Sequence, residues 1–152
     1  GLSIYRRLSS EAIATEMQAQ LRRVGIKIEV HPHEKSTFFS SGDFDLGIYS
    51  VVTMPTGDPY AFLRDAVGST GVANYGHYRS AAADQALTQL AVTFDPAQRI
   101  QLVNQIQQQV IDDRAMDFIG FNTMQVGMAK GVSGLLSTPS DYYQVTKDLD
   151  KE

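Results

Sequence analysis

Leu2-Ser3-Ile4-Tyr5, then Ile13-Ala14-Thr15-Glu16-Met17-Gln18-Ala19-Gln20-Leu21-Arg22-Arg23-Val24-Gly25, then Ile26-Lys27-Ile28-Glu29-Val30 decide the fold between them. Leu2 and Ile4 alternate with Ser3 and Tyr5, which predicts a strand over residues 2–6. Ser9 or Ser10 is placed to cap a helix whose first turn carries Glu11. Ile13, Met17, Leu21 and Val24 then fall on one helical stripe, and Gly25 supplies a left-handed end. Ile26, Ile28 and Val30 alternate with Lys27 and Glu29 as a second strand, which Pro32 ends. Strand, helix and strand in this order make a βαβ unit, and so a parallel pair.

Working outward, Phe38 and Phe39 sit in a short amphipathic piece, and Gly42-Asp43 turns the chain into the apolar run 44–52, which suits a strand covered on both faces. Residues 53–59 carry two prolines and a glycine and must be a loop. Tyr60, Phe62 and Leu63 open a short helix, and a second irregular stretch runs over 68–79. From Ser80 the pattern is helical, with Ala83, Leu87, Leu90 and Ala91 on one face. Asp95-Pro96-Ala97-Gln98 starts another helix, with Asp95 as cap, proline in the first turn and Gln98 able to close a capping box. Ile100, Val103, Ile106 and Val110 are its predicted buried stripe, and its glutamines a solvated face. Residues 116–121 and 126–128 read as two strands, and the chain from Gly131 as punctuated loop with a polar tail.

Composition excludes whole classes. The chain has 152 residues, of which 43% are hydrophobic and 20% charged, values of an ordinary globular domain. Zero cysteines exclude a thiol nucleophile, a disulfide framework and a thiolate metal site, but leave the compartment open. A net charge of -4 with no long basic cluster gives no footprint for nucleic acid. No apolar run reaches membrane-spanning length. No G-x-S-x-G elbow, phosphate-binding glycine loop or H-E-x-x-H pair is present, which argues against an enzyme. The chain starts straight into Gly1-Leu2-Ser3-Ile4 with no initiator Met or leader, and is expected to be part of something longer.

Four local matches resemble the family 5 extracellular solute-binding proteins, the peptide and nickel receptors of ABC importers. They are Gln20-Leu21 through Gly25-Ile26 to Val30, Gly42-Asp43-Phe44-Asp45, Gly57-Asp58-Pro59-Tyr60-Ala61-Phe62-Leu63, and Asn74-Tyr75 through Asp84 and Leu87 to Asp95-Pro96-Ala97-Gln98-Arg99. The resemblance implies an α/β fold: one lobe of a type II periplasmic-binding-protein-like fold, with a mixed, mostly parallel sheet flanked by helices. It implies that residues 1–135 are most of the C-terminal lobe and 136–152 a tail. The solute is then captured between this lobe and an N-terminal lobe, outside the cytoplasm, in the periplasm or as a cell-surface lipoprotein. An ABC permease is the further partner. No resident cofactor is implied; a nickel chelate is transported solute.

Ligands of open parallel sheets bind beyond the carboxyl ends of the strands. That rule and the resemblance together make Tyr49, Thr53, Met54, Pro55, Thr56, Tyr75 and His77 the candidate solute-binding residues. The peptide-binding branch typically has a Trp and, three residues on, an Asp for the peptide ammonium; Val52 and Pro55 stand at those positions here. The sequence is closer to the nickel-type branch, in which His77 is the candidate metal ligand, since imidazole suits Ni(II). His77 reads also as a solvated loop residue, and His31-Pro32-His33 as a surface turn, since Pro32 breaks the strand there, or as a metal pair on one strand face. Asp58 reads as a cap of the helix that follows, or as a ligand contact. Two alternatives stay open beside transport: a small α/β hydrolase-like enzyme using one of the histidines, and a structural or protein-interaction domain.

Overall fold

A computed structural model of the chain describes residues 1–34, 36–53, 57–121, 126–135 and 146–151, the side chains of 8 and 36–38 excepted. Met54, Pro55 and Thr56, the Asn122-Thr123 turn and most of the expected tail lie outside the described residues.

Strand β1 (Leu2–Tyr5) runs into helix α1 (Leu8–Arg23), and the chain returns as β2 (Val30–His33). β1 and β2 pair in parallel, Leu2 opposite Val30 and Tyr5 opposite His33, as the βαβ reading requires. A 3-10 turn over Ser36–Ser41 leads to β3 (Leu46–Ile48), which joins the other side of β1, also in parallel. The sheet order is β2-β1-β3.

Several local expectations need correction. The α1 N-cap is Arg7, with extended backbone and no side-chain cap; Ser9 and Ser10 lie inside the helix. The second strand begins at Val30 and runs through Pro32 rather than ending there. The ladder explains this: Leu2 donates to the Glu29 carbonyl and Arg6 to that of His33, so the odd-numbered residues of β2 face β1. Pro32 falls between them on an edge strand, where its missing N–H points away from the ladder. The run 44–52 is covered less than expected, since β3 is an edge strand of three residues and Leu46 is 46% exposed.

Leu2, Ile4, Ala14, Ile28 and Ile48 form the core between sheet and α1, with Ile13, Met17 and Leu21 partly buried against it. Val24, at the end of the predicted stripe, is exposed. On the other face of the sheet the small residues Ser3 and Gly47 are paired, and a Cβ on Gly47 would stand 2.8 Å from Cε1 of Phe39. The glycine lets that ring lie against the strand.

The second half is helical: α2 (Tyr60–Ala66), α3 (Ala81–Val92) and α4 (Pro96–Asp112). Leu63, Val67, Ala83, Ala86, Leu87, Leu90, Ile106 and Val110 make its core. Ala91 and Ile100, placed on the buried stripes by periodicity, are exposed, while Ala86, outside the predicted α3 face, is buried in one core with Ile106 and Val110. The α4 start is as predicted: the Asp95 side chain accepts from the Gln98 N–H at 2.9 Å with proline in the first turn. Asp95→Ala removes this cap, and urea unfolding is expected to show a loss of about 1 kcal/mol.

Residues 116–121 and 126–128 are not strands. Their described parts are largely exposed, Phe121 at 96%, and no described strand offers them a ladder. Among the described residues the remaining regular structure is a two-residue antiparallel pair, β4 (Val132–Ser133) with β5 (Asp150–Lys151).

Candidate functional site

A cluster of aromatic rings lies apart from both cores and joins the segments around β3 to the loop after α2. Phe39, 2% exposed, touches Tyr49 edge-on at a centroid distance of 5.1 Å and Tyr75 in a near-stacked arrangement at 5.8 Å, with 26° between the planes. Tyr49 meets Tyr75 edge-on at 5.8 Å, and Phe44 closes the cluster from the far side of Phe39. Such contacts contribute about 0.5–1.5 kcal/mol each beyond the area they bury. Tyr49 follows β3 directly and Tyr75 lies in the loop between α2 and α3, so the cluster joins the carboxyl end of the sheet to the helical half. Tyr49 remains 43% exposed, and burial of its hydroxyl together with the neighbouring Tyr75 hydroxyl holds it above the usual phenol range, against the opposing field of Arg7.

Asn74 shapes the loop that carries Tyr75. Its side chain is buried; Nδ2 donates to the carbonyls of Gly68 (3.1 Å) and Tyr78 (2.7 Å), and Oδ1 accepts from the Tyr78 N–H (2.9 Å). The Tyr78 hydroxyl donates to Asp113 at 2.5 Å and holds that carboxyl below the ordinary range, helped by Gln109. Asp84 in the first turn of α3 accepts from the Ser69 N–H.

Asp58 caps α2 through the Tyr60 N–H at 2.8 Å, as expected, and also pairs with Arg99 at 2.6 Å. Arg99 donates in addition to the carbonyls of Leu90 (2.8 Å) and Thr93 (2.5 Å). The motif residues Asp58, Asn74, Asp84, Asp95 and Arg99 thus form hydrogen bonds that set the loops.

Of the predicted site residues, Tyr49 and Tyr75 are in contact, and Tyr75 and His77 line one cleft of about 280 Å³. Thr53 is half-buried further along the chain from β3. His31 and His33 are strand residues at the β2 edge rather than a turn. Among the described residues no three His, Asp, Glu or Cys side chains gather to hold a metal ion. Sequence reading missed Phe39 as the centre of the cluster and Arg79 on the cleft. The glycine inside the Phe44–Val52 run was the available signal for the first, because it marks close approach of another group.

No family model matches the chain. In sequence it is similar to the probable D,D-dipeptide-binding periplasmic protein DdpA of Escherichia coli (strain K12), 29% identical over 137 residues, 85% of this chain and 26% of that protein. It is also similar to the nickel-binding protein NikA of Staphylococcus aureus (strain NCTC 8325 / PS 47), 25% identical over 135 residues, 88% of this chain and 28% of that one. The crystal structure of NikA from Staphylococcus aureus in complex with Ni(L-His)2 superposes on 99% of this chain and 33% of that chain with a TM-score of 0.83 at 23% identity. Its neighbours in sequence and structure are family 5 solute-binding proteins.

The fold is accordingly that of a periplasmic-binding-protein-type lobe, α/β with a parallel sheet and flanking helices. The oligopeptide-binding protein AppA from Bacillus subtilis, solved with a nonapeptide, shares it over 75% of this chain and 24% of that one, with a TM-score of 0.59 at 26% identity. The chain spans about a quarter of the length of the curated solute-binding relatives it matches. Both of those relatives are binding proteins by name.

Proposed function

We propose that this chain is the greater part of the C-terminal lobe of a solute-binding protein serving an ABC importer, with residues 1–135 as lobe and 136–152 as tail. It works outside the cytoplasm, in the periplasm or as a cell-surface lipoprotein. It holds its solute against an N-terminal lobe of the same protein, delivers it to a permease and carries out no chemistry. No helix among the described residues is long and apolar enough to cross a membrane.

The observation that carries the reading is the half-open Tyr49–Tyr75 pair beside the carboxyl ends of parallel strands, where ligands of such sheets bind. Tyr49, Thr53, Met54, Pro55, Thr56, Tyr75 and His77 are the proposed contacts. The preferred solute is nickel held by a small organic chelator. Pro55 stands where the peptide branch keeps an Asp, and a buried ammonium without a carboxylate partner is costly. A chelated ion brings donors of its own, so the lobe supplies aromatic packing and one imidazole, His77.

Calorimetry of the full-length protein with Ni(II) plus L-histidine is expected to give saturable heat. Tyr75→Ala should weaken that binding about tenfold, from loss of the ring contact. Heat with short peptides instead moves the protein to the peptide branch. Heat with neither, together with turnover of an ester or amide, overturns the reading.

A further inference from the structure

Gly42 and His77 face each other across the cleft between the 3-10 turn and the 68–79 loop. Gly42 follows the 3-10 turn with φ 69, and a Cβ built on it would stand 3.1 Å from Nε2 of His77, tighter than such contacts ordinarily are. Apart from its chain neighbours, no other described atom lies within 4 Å of that position. The backbone is held on both sides. Gly42 donates to the Phe39 carbonyl at 3.2 Å and accepts from the Phe44 N–H at 3.0 Å, and the Phe39 and Phe44 rings pack edge-on at 5.6 Å. His77 donates its N–H to the Asn74 carbonyl at 3.1 Å, while the Asn74 side chain binds the N–H and carbonyl of Tyr78. His77 itself has φ 53, in the left-handed region that residues other than glycine rarely adopt. With both backbones tied, what can adjust at this contact is the imidazole on its own torsions.

We propose that Gly42 is a positioning residue for the solute: its missing side chain leaves Nε2 of His77 uncovered and sets how far the ring stands from the 3-10 turn. The inference rests on the reading of His77 as a solute contact and deepens it by naming a residue on which that contact depends. The two ring nitrogens are the atoms through which a histidine bonds a metal or a polar group, and Nε2 is the one that a side chain at 42 would crowd. A methyl there either covers the nitrogen or turns the ring aside by a few tenths of an ångström. Binding constellations tolerate only about 0.5 Å of misplacement, so a shift of this kind reaches the solute. The Phe39, Tyr49 and Tyr75 rings touch one another without involving this position, and their contacts stay as they are. Turn geometry alone also favours glycine at φ 69. Gly25 separates the two effects: at the end of α1 it has φ 84, with nothing within 4 Å of its Cβ position.

The test is calorimetry of the full-length protein with Ni(II) plus L-histidine on the wild type, Gly42→Ala, Gly25→Ala, His77→Ala and the variant carrying both Gly42→Ala and His77→Ala. Nitrogen NMR of the His77 ring, recorded without solute, reads its position directly. Gly42→Ala is expected to weaken binding about fivefold and to shift the His77 ring nitrogens. Gly25→Ala, which carries the same backbone strain, should leave the ring signals in place and the affinity within about twofold of the wild type. In the His77→Ala background, Gly42→Ala should cost no more than about twofold, because the two substitutions act on one contact. Thermal melting checks that each variant is folded, and Gly42→Asn, which tolerates left-handed backbone better, repeats the comparison if the alanine variant is not. Wild-type affinity in Gly42→Ala overturns the positioning role, and so does an equal loss with and without the His77 ring. A loss of the same size in Gly25→Ala assigns the effect to backbone strain and overturns it too. Wild-type affinity in His77→Ala is a different failure, that of His77 as a solute contact, and takes this inference with it.

Discussion

Leu90→Ala is expected to destabilise the protein by about 3 kcal/mol, read as a shift of the urea midpoint at unchanged slope. Leu90 is 0% exposed and belongs to the core that binds α3 to α4 and α2. Truncation loses the transfer free energy of its terminal carbons and leaves a cavity that two helices packed on Ala86, Ile106 and Val110 cannot close. A loss below about 1 kcal/mol would mean that the hairpin repacks and that this core is looser than described. The aromatic cluster is separate from this core, so the Tyr49–Tyr75 face should keep its geometry while global stability falls.

Arg99→Ala is the other large effect, with an expected loss of about 2–3 kcal/mol. One guanidinium binds three acceptors: the Asp58 carboxylate before α2, and the Leu90 and Thr93 carbonyls at the end of α3. Without it a carboxylate that also caps α2 loses its partner, and two carbonyls lose a charged donor, each such bond being worth roughly 1.5–3 kcal/mol. The Asp58 side chain is 41% exposed, so water recovers part of this and the upper figures do not add. Arg99→Lys should recover less than half, because an ammonium cannot reach all three acceptors in the fork geometry. Full recovery by lysine would show that charge alone matters there.

The sequence disclosed most where the signal is local. Asp95-Pro96 marked the α4 start to the residue, Gly25 marked the end of α1 with φ 84, and the β1–α1–β2 unit followed from periodicity. It disclosed least where the outcome depends on neighbours. Ile100 and Val24 have the spacing of buried residues, yet burial depends on which element lies opposite, and none among the described residues covers them. The alternation of 116–121 and 126–128 suits a strand, but a strand needs a ladder as well as a pattern.

The site divides in the same way. Tyr49, Tyr75 and His77 were singled out as candidates because a topological rule and a family likeness pointed to two loops, and the structure brings Tyr49 against Tyr75 and puts Tyr75 and His77 on one cleft. Phe39, which brings those loops together, and Arg79, which gives the cleft its charge, depend on contacts between segments tens of residues apart. Asp58, Asn74 and Arg99, residues of the motifs that carry the family likeness, hold the loops in place, Asp58 as the cap the sequence offered.

The central claim is that solute is held at the aromatic face beyond the carboxyl ends of β1, β2 and β3. The most direct measurement is anomalous diffraction at the nickel edge from crystals of the full-length protein grown with Ni(II) and L-histidine. A nickel peak is expected in front of the Tyr49–Tyr75 pair, with the chelate packed on those rings and His77 beside it. A fully occupied nickel peak elsewhere, at the His31–His33 edge of β2 for example, with the tyrosine face empty, would contradict it.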